Sequence, residues 1–114
     1  AIGYDRWNAL STAQKLEKAG YNLVEIRQHS SVLHPPTKLL KEKILNKEFK
    51  YTENKLLEIN FQNARCVYDT NKNQYVNKKK SSGKVDMVVS LINAVYLLEQ
   101  DTFLNQMDFT VQIF

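Results

Sequence analysis

Apolar positions along the chain change period several times, and each change marks an element. Ile2, Gly3 and Tyr4 form a short run that reads as the end of a strand delivering Asp5. Ala9, Ala13 and Leu16 then fall at i, i+4 and i+7, with Leu10 widening the stripe and Gly20 stopping it, which predicts an amphipathic helix. Residues 21–27 (YNLVEIR) alternate at period two through Tyr21, Leu23 and either Val24 or Ile26, the pattern of a strand. Strand, helix and strand make a β-α-β unit, so the expected fold class is α/β. The polar residues 28–34 break the pattern. Pro35 and Pro36 are then expected to open a helix, because proline is tolerated in the first helical turn, with Leu39, Leu40, Ile44 and Leu45 as its inner stripe.

Residues 46–52 read as a connection with a short strand at 49–51. Asn54 is a fitting cap for a further helix that buries Leu56, Leu57 and Phe61. Residues 64–68 (ARCVY) predict a strand, 69–73 a turn, and 74–76 the returning partner of a hairpin. From about residue 84 to 99 a helix is apolar on nearly every side, through Val85, Val88, Val89, Leu91, Ile92, Ala94, Val95, Leu97 and Leu98. Such a helix is expected to be buried all round, within the domain or against a partner. A final strand is expected at 103–114.

Composition narrows the class. The 114 residues are 43% hydrophobic and 25% charged, the profile of a folded globular chain, and three Gly with two Pro exclude collagen-like or low-complexity sequence. A single cysteine, Cys66, leaves no disulfide framework within the chain and no cysteine-rich zinc site, and fits a reducing compartment. No apolar run approaches the roughly 20 residues of a membrane span, and AIGYDRW lacks the pattern of a signal peptide. A cytosolic domain with no membrane partner is expected. The net charge of +4 is unevenly spread. Residues 70–85 hold no acid but carry Lys72, Lys78, Lys79, Lys80 and Lys84; beyond Lys84 there is no Lys or Arg, and Glu99, Asp101 and Asp108 make the tail acidic. The basic segment is either a phosphate-binding surface or a solvated loop.

Two carboxylates stand out. Asp86 is the only ionisable side chain between Val85 and Tyr96, in the first turn of an otherwise apolar helix. It is either a partner of the helix dipole or a metal ligand beside the basic loop. Asp5 stands at the carboxyl edge of the first strand, where ligand sites of open α/β sheets lie, and also where a helix-capping Asp would stand. Carboxylates at two element ends suit a hard divalent cation in phosphodiester cleavage. His29 and His34 lack zinc spacing with Cys66 and read as loop residues; Cys66 reads as core, and Trp7 as packed on the sheet. No glycine-rich loop is present, so no ATP site is expected in this segment.

The succession YDRWNA, a Leu-Glu-x-x-Gly helix end, SVLHPPTKLLKEKIL, NKLLEINFQNARCVYD and KSSGKVDMVVSLINAV, ordered across residues 4–99, resembles the C-terminal part of tailed-phage terminase large subunits. That family joins an N-terminal packaging ATPase to a C-terminal nuclease of ribonuclease H-like fold, a mixed sheet flanked by helices. The nuclease cuts concatemeric double-stranded DNA through acidic residues holding divalent metal, Mg²⁺ or Mn²⁺, two ions in the complete domain. The resemblance carries the Asp of Tyr-Asp-x-Trp onto Asp5 and the Asp of Lys-[Ile/Val]-Asp onto Asp86, as catalytic metal ligands. It turns Arg6, Lys78, Lys79, Lys80 and Lys84 toward the DNA backbone. It implies that residues 1–114 are one partial nuclease domain, N-terminally truncated and without the ATPase. A further catalytic Asp then belongs to an upstream strand, and the segment by itself is expected to cut weakly or not at all. Lys55 and Ile59 replace a Pro and a Trp common in relatives. Implied partners are DNA, the terminase small subunit and the portal protein, in the bacterial host cytoplasm, with self-association as one way to cover the apolar helix. The alternative is a non-catalytic nucleic-acid-binding or assembly module that uses the 78–84 lysine cluster.

Overall fold

A computed structural model describes the backbone of residues 1–113 and their side chains except those of residues 7, 8 and 102–113. The β-α-β unit is present: β1 (Ile2–Tyr4), α1 (Arg6–Lys18) and β2 (Leu23–Glu25), with β1 parallel to β2 in the register Gly3↔Val24. Gly20 ends α1 in the left-handed region (φ 97°), which lets the Tyr21 amide return to the Leu16 carbonyl at 3.1 Å. Residues 21–27 thus contribute only three residues of strand.

Helix α2 (Ser30–Leu45) starts well before the prolines, which lie inside it. His29 makes this possible: its Nδ1 accepts the Ser31 amide at 3.1 Å and caps the helix, so the chain enters the helix through residues expected to be loop. Pro35 and Pro36 donate no helical bond, but Pro36, Thr37 and Leu40 are all buried. The expected inner stripe is narrower than predicted. Leu40 is in the core, whereas Ile44 and Leu45 are exposed, Leu45 by 78%.

Helix α3 (Lys55–Asn63) is capped as predicted, Asn54 Oδ1 accepting the Leu57 amide at 3.0 Å. Leu57 is buried, Phe61 half-buried and Leu56 exposed. No strand forms at 49–51; Phe49 instead packs its ring against Tyr51 and, edge-on, against Phe61. The hairpin is β3 (Cys66–Tyr68) and β4 (Gln74–Val76), antiparallel with Val67↔Tyr75. Its turn is wound on Asp69, whose Oδ1 accepts the amides of Asn71 (2.8 Å) and Asn73 (2.9 Å). The α/β class therefore holds, but the strands form two separate two-stranded sheets rather than the one mixed sheet expected.

Helix α4 (Asp86–Ile113) is longer than predicted: residues 103–113 continue it instead of forming a strand, and residue 114 lies outside the described residues. It packs mainly on α2, and Val88 and Ile92 join Leu40 in the core. It is not buried all round, since Ala94 and Leu98 face outward. One stripe, Val85, Val88 and Ile92, suffices to dock it. The middle of α4 reaches β1 at Gly3. A Cβ there would come within 2.5 Å of Ile26 Cδ1 and 3.0 Å of Leu97 Cδ1, so the missing side chain permits the close approach.

Candidate metal centre and nucleic-acid interface

Asp5 leaves β1 as the first residue past the strand, and its carbonyl accepts the Ala9 amide at 3.0 Å, the position of a helix cap. Its direction follows from strand parity. Gly3 faces Leu97 and Ile26, so Asp5, two residues on, turns toward the same α4 face. Asp5 accordingly lines a cavity of about 370 Å³ together with Val89 and Ile92 of α4, Tyr75 of β4 and Lys78. On its other side Asp5 borders a wider cleft with Arg6, Glu25, Arg27 and His29. The structure thus brings Asp5, Lys78 and Arg6 to one region. Glu25 and Arg27 join them, which the sequence concealed because both look like the polar positions of a strand.

Helix α4 runs back along this region. Leu97 lies beside Gly3, and Ile92 and Val89 wall the cavity beside Asp5. Asp86 comes about 4.5 Å further along the axis, by the helical rise. Asp86 is exposed at the first position of the helix, as its place in the opening turn required. Gln28 fixes the α4 orientation from the strand side: its Nε2 donates to the Ile26 carbonyl at 3.1 Å and to Asn93 Oδ1 at 3.2 Å. Asn93 is seven residues from Asp86 and so shares its face of the helix.

The lysine segment is held, not loose. The Asn77 amide donates to the Arg65 carbonyl (2.9 Å), and the Arg65 amide donates to Ser81 Oγ (3.1 Å). Ser81 Oγ in turn donates to the Asn77 carbonyl at 2.7 Å, and the Ser82 amide to the Asn63 carbonyl at 3.0 Å. Lys78, Lys79, Lys80 and Lys84 are all exposed on this pinned loop. Asp69 ties the hairpin to α2 by accepting from Ser30 Oγ; this bond, with those from Asn73 and Asn71, lowers the Asp69 carboxyl to about 2.

The histidines are not loop residues without a task. His29 caps α2, and His34 Nδ1 accepts the Gln74 amide at 2.9 Å, joining α2 to β4. Cys66 is free and half-buried, in keeping with core packing. The side chain of Trp7 lies outside the described residues. Asp5 and Asp86 are hard oxygen donors of the kind Mg²⁺ or Mn²⁺ takes. Among the described residues no group of three or more His, Cys, Asp and Glu side chains gathers as a metal site. No helix among the described residues is long and apolar enough to cross a membrane.

The α/β domain thus presents an acid at the end of a parallel strand, walled by a helix, with Lys78 of the pinned loop lining the same cavity. The family model of the terminase large subunit endonuclease domain matches residues 1–101, and the chain belongs to that family. No curated protein matches it. Among solved structures it is similar to the large terminase of bacteriophage HK97, with TM-score 0.74 and 25% identity over 83% of this chain and 20% of that one. The chain therefore spans about a fifth of that protein's length.

Proposed function

We propose that the chain is the catalytic-face portion of a metal-dependent endonuclease of ribonuclease H-like fold, which cuts concatemeric double-stranded DNA during phage genome packaging. The observation that supports this is the cavity lined by both Asp5 and Lys78, which Asp86 does not line but whose wall includes Val89, three residues along α4 from Asp86. Asp5 and Asp86 would hold Mg²⁺ or Mn²⁺, which when bound polarises the scissile phosphate and acidifies the attacking water. Lys78 lies where it can meet the phosphate backbone, and Arg6 and Arg27 border the adjoining cleft. Lys79, Lys80 and Lys84 add sequence-independent attraction along the duplex. The membership also supports the terminase small subunit and the portal protein as partners of the longer protein.

Two carboxylates leave the donor set short of the acidic cluster that the resemblance implies, so slow nicking is expected from this segment. Supercoiled plasmid incubated with Mn²⁺ should be nicked, and Asp5→Asn or Asp86→Asn should each remove the activity. Nicking that persists unchanged in Asp86→Asn would refute the site. DNA binding that is salt-dependent and indifferent to both substitutions, with no nicking at all, would instead identify a non-catalytic binding module.

A further inference from the structure

We propose that α3 is a positioning element for the nuclease site: Asn60 sets the turn that carries Asp86, and Asn63 sets the loop that carries the lysines. This rests on the metal and DNA sites proposed above. Asn60 is only 3% exposed, an unfavourable place for an amide unless both polar ends are paired. Both are. Its Nδ2 donates to the Leu56 carbonyl at 2.9 Å, and its Oδ1 accepts the Met87 amide at 3.2 Å.

That second bond has a specific meaning. The Val89 amide bonds the Val85 carbonyl at 3.0 Å, so Val85 occupies the cap position of α4. A helix start is normally satisfied by an oxygen on the cap residue itself, reaching the second or third amide. Val85 has no such oxygen and is itself buried. Asn60, from another helix, supplies the missing acceptor to the second residue of α4, immediately after Asp86. The direction in which the helix starts, and with it the Asp86 carboxylate, is therefore set from α3.

Asn63 stands one turn further along the same face of α3. Its Nδ2 donates to the Lys84 carbonyl at 3.0 Å, and its own carbonyl accepts the Ser82 amide at 3.0 Å. Gly83 passes so close that a Cβ there would lie 2.7 Å from Asn63 Nδ2. Two asparagines thus grip residues 82–87 from one side, and Lys84 and Asp86 lie within the gripped stretch.

The test separates the two grips in the full chain. Mn²⁺ binding is followed by calorimetry and duplex DNA binding by its salt dependence. Asn60→Leu should weaken Mn²⁺ binding about tenfold, the loss of one hydrogen bond, and leave the salt slope of DNA binding unchanged. Asn63→Ala should lower the salt slope by about one phosphate contact while leaving Mn²⁺ affinity within about twofold of wild type. If Asn60→Leu does not fold, Asn60→Ser, whose oxygen has a shorter reach, gives the same comparison. Equal losses of both functions in both variants would reduce α3 to a structural support and overturn the proposal. Mn²⁺ binding that responds to Asp5→Asn and Asp86→Asn but not to the Asn60 variants would overturn the positioning role alone. Mn²⁺ binding indifferent to the two aspartates, or absent in the wild type, would overturn the metal site and the positioning role together.

Discussion

The two acids of the proposed site are placed by different means. Asp5 is placed by its neighbours in the chain: a three-residue strand, its parity, and a helix that begins at the next residue. Asp86 and the lysines before it are placed from a distance, by Asn60, Asn63, Arg65 and Gln28, residues lying between 16 and 65 positions away from the groups they hold. A local arrangement tolerates change elsewhere in the molecule. A long-range one fails when any of its anchors is removed. The β-α-β unit should therefore be the robust half of the site, and the loop with the start of α4 the sensitive half.

The strongest test strikes the seam where the halves meet. Ile92 is buried in the core with Leu40 and Val88 and also walls the cavity beside Asp5. Ile92→Ala should cost about 3 kcal/mol in urea unfolding, whereas Leu98→Ala, on the 65% exposed side of the same helix, should stay within about 0.5 kcal/mol. A similar loss at both positions would mean that the outward face of α4 is covered in solution.

Gly3→Ala comes next and attacks the robust half. The added methyl must displace Ile26 or Leu97, at an expected cost of about 2 kcal/mol. Because the strain pushes α4 off β1, plasmid nicking should fall with it. Ser81→Ala attacks the sensitive half more gently. It removes a hydroxyl that both accepts the Arg65 amide and donates to the Asn77 carbonyl. A loss of about 1 kcal/mol is expected, with weaker DNA binding and little change at Asp5, the last read from its carboxyl NMR signal.

The smallest effect is on pH dependence. The Asp69 carboxyl sits at about 2 when folded against an ordinary 3.8, chiefly because Ser30 donates to it. A depressed carboxyl contributes stability above its unfolded value and loses it as the pH falls toward its folded one. The hairpin turn should therefore loosen between roughly pH 4 and pH 2. Ser30→Ala should raise the Asp69 titration midpoint, followed by carboxyl NMR, and shrink the acid-sensitive window. An unchanged midpoint would show that the backbone amides of Asn71 and Asn73 hold the carboxylate without Ser30.

Much of the fold was legible because its signals are local. The alternation around Leu23, the stripe of Ala9, Ala13 and Leu16, the Asn54 cap and the polar turn between Tyr68 and Gln74 each act within a few residues, and each element formed close to where the pattern put it. The misses share one cause. The start of α2 depended on a histidine ring acting as a cap, and residues 103–113 continued an established helix instead of forming the expected strand. The exposure of Ile44, Leu45 and Leu56 was decided by which neighbours the helices met. Phe49 found other aromatic rings in place of a strand partner.

The sequence by itself determined most of the element types, the two acidic positions that stand out and the clustering of the lysines, because propensity, period and charge are properties of neighbouring residues. Tertiary structure decided that Asp5 and Lys78 share a cavity, that the lysine loop is pinned, and that α4 is capped by an asparagine 27 positions from the amide it accepts. Those are matters of orientation. A hydrogen bond or a shared wall depends on direction and on distances of a few ångströms, and for residues far apart in the chain only the packed helices and strands fix either one.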